Sequence, residues 1–161
     1  MRRVFIFLLV VVCSYVSFAQ DADSRLWEIA KREYPDDASM QRYVYNNQKS
    51  AYSYMGTVND VELRQFAERE YPDDYSMQKY VYNNQLSAKK YMSSVDDMEL
   101  KGFAKREYPD DYSMQKYVYN NQASAKEYMK HATNTNAKSH ALREYPNDYS
   151  MQKYIYDRAA Y

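Results

Sequence analysis

Three sets of residues in this 161-residue chain have types and spacings that could do chemistry. The first is carboxylate. Glu107, Asp110 and Asp111 crowd together around Pro109, and oxygen donors at that density can hold calcium weakly. A helix cap explains the same residues without an ion, because a capping Asp accepts from backbone N–H groups that have no partner inside the helix. We therefore read Asp110 or Asp111 as a cap. The second set is His131 and His140, the only histidines, which lack the i, i+4 spacing that lets two imidazoles share a zinc ion. No metal site and no cofactor are expected.

The third set recurs along the chain. Glu107 shares a helical arc with Leu100, Phe103 and Ala104 and returns as Glu33, Glu70 and Glu144; Asn121 sits within an apolar stripe, as do Asn47 and Asn84. A carboxyl in such a stripe has a raised pKa and can serve as a general acid. One carboxylate in every repeat is poor material for a single active site, however. The expectation is structural: Glu, Asn and tyrosine hydroxyls satisfying one another, since buried polar groups left unpaired are costly. Glycine-rich phosphate loops, G-x-S-x-G elbows and H-E-x-x-H helices are absent, so an enzyme is not expected.

The elements that must position these residues are set by a repeat. Arg106 to Gln122, R-E-Y-P-D-D-Y-S-M-Q-K-Y-V-Y-N-N-Q, recurs letter for letter at Arg69 to Gln85, 37 positions earlier. Arg32 to Gln48 differs only at Ala38 and Arg42, and Arg143 to Ala159 keeps the first part and drifts at its end. A fixed period of this length is the signature of stacked supersecondary units. The expected fold is all-α, a short solenoid-like stack of four two-helix repeats at about 22–58, 59–95, 96–132 and 133–161, the last truncated.

Each repeat predicts a short and a long helix. S-V-D-D-M-E-L reads as a capping box, with Asp96 as cap, Glu99 reaching back and Val95 stapled to Leu100; Asn59, Glu62, Val58 and Leu63 repeat it. Pro109 stops the short helix. Short helices are predicted near 24–34, 60–71, 97–108 and 137–145, and long ones near 37–55, 74–92, 111–129 and 148–160. On the long helix, Met114, Tyr117, Val118, Asn121, Ala125, Tyr128 and Met129 fall within an arc of about 120°, the expected core stripe. Tyr75 and Tyr82, like Tyr112 and Tyr119, lie opposite it as a second aromatic stripe. That stripe is the candidate binding surface if exposed and the packing between repeats if buried. Thr133 to Ser139, where the fourth repeat loses its Leu and Phe anchors to Ala137 and His140, is expected to be the least ordered part of the mature chain after its first residues.

Composition narrows function further. Lys plus Arg and Asp plus Glu are equal at 22 each, so there is no basic field to attract nucleic acid. Of 21 tyrosines, 20 lie in the repeats. Met1-Arg2-Arg3, the apolar run from Val4 and the small residues Ser17 and Ala19 read as a signal peptide over residues 1–19, with no membrane span after its removal. Cys13 would leave with that leader.

The period resembles that of tetratricopeptide and Sel1-like repeats, without their glycine and alanine signature positions. E-Y-P-D-D-Y-S-M-Q, Glu107 to Gln115, resembles short helical segments of uncharacterised bacterial proteins in which Tyr or Trp precedes P-D-D, and S-F-A-Q resembles a Bacteroidota leader end. Neither resemblance implies an activity. The expected function is a secreted or periplasmic, non-enzymatic repeat protein offering a tyrosine-rich surface to a protein or glycan of the cell envelope. The alternative is structural self-assembly, a homo-oligomer pairing through tyrosine stripes.

Overall fold

A computed structural model of the protein describes residues 21–159. The leader expected over residues 1–19 lies outside them. The described residues form eight helices and no strand. They are α1 (21–33), α2 (Ala38–Met55), α3 (Val61–Glu70), α4 (Tyr75–Ser94), α5 (Met98–Glu107), α6 (Tyr112–Lys130), α7 (Thr135–Glu144) and α8 (Tyr149–Ala159). The protein is thus all-α, built of four two-helix repeats. It divides into two compact units, one ending at Tyr82 and one starting at Asn83, with the division inside α4.

The caps explain the boundaries. Each long helix begins after an Asp whose carboxylate accepts from the third following amide: Met40 N–H on Asp37, Met77 on Asp74, Met114 on Asp111 and Met151 on Asp148, all at 3.0 Å. Of the two candidates at the third repeat, Asp111 is therefore the cap. The short helices are capped one residue later than the sequence pattern suggested. Asp60 and Asp97, not Asn59 and Asp96, accept from Leu63 and Leu100 at 3.3 and 3.2 Å. The shift moves Glu99 out of the capping-box position and releases its carboxylate for Lys126. Each short helix then ends at a tyrosine followed by proline, and the tyrosine amide still donates to an alanine carbonyl, as Tyr71 does to Ala67 and Tyr108 to Ala104 at 3.0 Å.

In the first unit, Ile29, Ala30 and Val44 form a buried cluster against which Trp27, Tyr45 and Tyr75 pack. In the second, Met92, Leu100, Ala104 and Tyr119 form one cluster, and Met129, Ala137, Ala141 and Tyr156 another. Here α6 packs on α5 and α8, and α7 on α8. The stretch Thr133 to Ser139, expected to be the least ordered, enters α7: Asn134 caps it through Ala137 N–H at 3.1 Å, and the Tyr156 hydroxyl accepts from the amides of Thr133 and Asn134. Among the described residues no helix is long and apolar enough to cross a membrane.

The core stripe of the long helices is rotated from its expected position. In α6 the buried residues are Gln115, Tyr119, Gln122, Ala125 and Met129, whereas Tyr117 is 60% exposed, Tyr128 is 42% exposed and Asn121 faces solvent. Counting tyrosine as apolar and glutamine as polar put the moment on the wrong side. The amphipathic phenol accepts an exposed position, and a glutamine paired at both ends of its amide, as Gln122 is by Asp148 and Tyr149, is buried at little cost.

Candidate binding surface

The glutamines of the long helices, buried except for the half-buried Gln41, show how the sequence positions everything outside them. In each repeat the first, Gln41, Gln78, Gln115 or Gln152, donates its side-chain amide back to the carbonyl of the pre-proline tyrosine, at 2.6, 2.6, 2.7 and 2.6 Å. That carbonyl lies where proline has ended the helix, and the glutamine gives it a short bond beside the longer one from the capping aspartate's backbone N–H, 3.3 Å at Tyr71. The second glutamine, seven residues later on the same face, clamps the next long helix. Gln48 donates to the capping Asp74 at 2.9 Å and accepts from Ser76 N–H at 3.2 Å. Within the second unit, Gln85 does the same to Asp111 and Ser113, and Gln122 to Asp148 and Tyr149. Ala159 stands at this position in the fourth repeat.

These amides hold the buried polar role that the sequence pattern assigned elsewhere. Glu33, Glu70, Glu107 and Glu144 are exposed, as are Asn47, Asn84 and Asn121. They form no buried network, for the rotation of the core stripe carries the Asn side chains to solvent and the Glu residues sit in the last turns of the short helices.

The four tyrosines named as a binding row are part of the packing. Tyr82 and Tyr119 are 4% and 9% exposed. Tyr82 meets the edge of Tyr54 at 6.4 Å in the first unit; Tyr119 meets Tyr91 at 6.3 Å in the second, as Tyr156 meets Tyr128 at 6.1 Å. Lysines cover the partner rings, with Lys79 on Tyr54, Lys116 on Tyr91 and Lys153 on Tyr128. Tyr75 and Tyr112 are half-buried, Tyr75 edge-on to Tyr52 at 5.0 Å and Tyr112 beneath the Lys89 ammonium. In the first repeat the equivalent Tyr45 lies against Trp27 at 4.3 Å, its hydroxyl on Asp23 and Lys49.

What faces solvent is a different row. Tyr43 and Tyr80 in the first unit are 62% and 61% exposed, and Tyr117 and Tyr154 in the second are 60% and 50%. Tyr80, Tyr117 and Tyr154 each stand two residues before a buried tyrosine, and Tyr43 two before the half-buried Tyr45. Around Tyr43 the exposed face of α2 carries Ser39, Asn46, Asn47 and Ser50; around Tyr117, that of α6 carries Asn120, Asn121, Ser124 and Tyr128. Neither face holds a charge, although 27% of the chain is charged. On α8 the pattern breaks: Asp157 accepts from Tyr128 and Lys153, and the Arg158 guanidinium donates to the Tyr154 hydroxyl at 2.6 Å. Sequence reasoning placed Tyr117 in the core, and the repeated uncharged S-x-x-x-Y-x-x-N-N face was the available signal.

At its C-terminal end the α6 face runs into a groove of about 640 Å³ lined by Ser124, Glu127, Tyr128, His131, Thr133 and Tyr156. The Glu127 carboxylate accepts from Lys130 at 2.6 Å and approaches His131 Nε2 at 3.1 Å. The Lys130 bond, with His131 second, holds its pKa below the ordinary glutamate value. Nearby, Lys126 joins Asp97 and Glu99 at 2.9 Å each, and the Tyr149 hydroxyl reaches Glu99. Asp97 is lowered chiefly by that lysine, whose own pKa is raised by the same bond. Among the described residues no group of three or more His, Cys, Asp or Glu side chains is arranged to hold a metal.

Comparison with family models, curated proteins and solved structures finds no match for this chain.

Proposed function

We propose that this is a non-enzymatic binding protein of helical repeats, exported by its leader, that offers the uncharged outer face of its long helices to a protein or glycan partner. The observation that carries this reading is the recurrence of an exposed tyrosine flanked by Asn and Ser, at Tyr43, Tyr80 and Tyr117. Tyrosine supplies wide, rigid contact area at a cost of few rotatable bonds, and Ser and Asn supply adaptable hydrogen bonds. Packing does not account for tyrosine at these positions, since the rings that hold the repeats together are Tyr82, Tyr119 and Tyr156. Export rests on the basic, apolar and small-residue order of Met1 to Ala19.

The test is the triple variant Tyr43→Ser, Tyr80→Ser, Tyr117→Ser. Its melting curve should overlay that of the parent, while capture of a partner from envelope extract or on a glycan array should be lost. A variant that binds as the parent does would remove the proposal. Light scattering at high concentration addresses self-assembly: a concentration-dependent oligomer abolished by the same substitutions would make the face a contact between copies.

A further inference from the structure

We infer that the second unit binds an uncharged oligosaccharide along α6, laid over Tyr117 and seated in the groove at the C-terminal end of that helix, beside Tyr128. This rests on the binding reading above and names the partner class at one site.

The geometry is that of a graded track. Tyr117, Asn121, Ser124 and Tyr128 follow one another on one face of α6, and the groove opens where that face ends. From Tyr117 to Tyr128 is eleven residues, or about 16 Å of helix at about 1.5 Å each. A linear glycan is a matching object, since it presents apolar C–H faces to aromatic rings and hydroxyls to everything else. A tyrosine ring has a negative face that attracts such C–H groups. Asn side chains both donate and accept, and the Ser124 and Thr133 hydroxyls do likewise. The groove volume lies within the range of small-molecule sites, about 300–1,000 Å³.

Charge selects among glycans. No lysine or arginine of α6 lies on the track; Lys153 covers one face of the Tyr128 ring and is paired with Asp157, and Glu127 at the groove is paired with Lys130 and, when protonated, His131. A uronate or phosphate would meet the Glu127 carboxylate, while the nearest lysines, Lys130 and Lys153, already hold Glu127 and Asp157. A hydroxyl would donate to that carboxylate.

Comparison of repeats shows how the groove arises. Val95 packs against the cluster of Met92, Leu100, Ala104 and Tyr119. One period later the residue is Ala132, which is smaller and half-buried, and the groove opens beside it. The substitution leaves the edge-on ring pair intact, at 6.3 Å for Tyr91 with Tyr119 and 6.1 Å for Tyr128 with Tyr156.

The experiment is calorimetric titration of the full chain with soluble hexasaccharides of glucose, mannose and xylose, and with a hexauronate as anionic control. Three variants accompany the parent: Tyr117→Ser, Ala132→Val, which restores the side chain of the preceding repeat, and Val61→Ser, an exposed position on α3 of the other unit that belongs to no tyrosine face. A neutral hexasaccharide should bind with little dependence on salt. Affinity should fall about tenfold in Tyr117→Ser, as loss of one aromatic contact of about 1.4 kcal/mol implies, fall also in Ala132→Val, whose larger side chain narrows the groove, and stay unchanged in Val61→Ser. Preference for the uronate, salt-sensitive binding, indifference to the two α6-side variants, or no binding by any neutral sugar would each overturn the inference. A protein partner captured through Tyr117 would do so too, while leaving the broader binding proposal standing. If neither sugar nor protein binding responds to Tyr43, Tyr80 and Tyr117, both fall.

Discussion

Tyr117 and Tyr119 lie two residues apart on α6, and one is 60% exposed while the other is 9% exposed. The same pairing holds in the first unit for Tyr80 and Tyr82, at 61% and 4%. Two positions are about 200° round a helix, so one side chain faces the packed helices and the other faces water. The lesson is that a chain rich in tyrosine uses one residue type for two jobs, and only the phase of the helix says which. The inner row closes ring on ring between repeats, with lysines laid over the outer partner of each pair. The outer row is left among amides and hydroxyls.

The largest effect that would break this comparison is removal of an inner ring. Tyr119→Ser should destabilise the protein by about 3–5 kcal/mol, the range for truncating a large buried aromatic, and thermal melting read by circular dichroism should show it. A melt within a degree of the parent would mean that Tyr119 is no more structural than Tyr117.

Next comes the amide clamp. Gln122→Ala strips Asp148 and the Tyr149 N–H of a partner they share through one buried side chain. The expected loss is about 1–3 kcal/mol, the cost of stranding a buried polar group. Its neighbour Asn121 is exposed, and Asn121→Ala should change stability by no more than about 0.5 kcal/mol. Denaturant titration of the two variants side by side sharpens the contrast, and equal losses would return Asn121 to the core.

That pair of residues also marks how far the sequence could be read. The period was legible because it repeats letter for letter, and the helix pairs and proline stops because they depend on residues within one turn of each other. Asp111 as cap was within reach for the same reason. The phase of the long helices was not. Whether Gln122 is buried depends on Asp148, 26 residues away, and no window of local pattern contains that bond. Once Gln115 and Gln122 are taken as core, seven residues apart on one face, Tyr119 falls between them and Tyr117 is turned out. The Glu residues were misplaced for a related reason: Glu107 is the last residue of α5, and although Leu100 and Ala104 of the same arc are buried, its own side chain is exposed.

A smaller effect concerns the surface bridge of Lys126 with Asp97. The lysine holds the Asp97 pKa below its ordinary value, so the carboxylate is more easily charged in the folded state than in the unfolded one. Stability from this source is present above the unfolded carboxylate pKa of about 3.9 and is lost as pH falls through the lower folded value. Asn at this position keeps a cap and removes the charge. Asp97→Asn should therefore cost about 0.2–1 kcal/mol at neutral pH, as partly exposed pairs do, and nothing once both carboxyl states are protonated in acid. A gap between parent and variant that persists unchanged at low pH would assign the loss to the cap and not to the charge.

The smallest effect on stability, and the most informative about function, belongs to Tyr117→Ser. Among the described residues the ring pairs with no other ring and lies outside the buried clusters of the second unit, and it stands on a face where Asn120, Asn121 and Ser124 are exposed. Its removal returns a mostly hydrated phenol to a fully hydrated state, and the melt should move by less than about 0.5 kcal/mol in free energy. An exposed aromatic that contributes nothing to folding is then available to a partner, and its energetic value appears only on binding, where tyrosines are enriched among the residues that dominate an interface. The two measurements must separate. If Tyr117→Ser lowers stability as Tyr119→Ser does, the ring is architecture and the outer face has no vacancy to offer. If stability holds and partner binding falls, the two tyrosines of each long helix divide the work, the inner one building the repeat and the outer one presenting it.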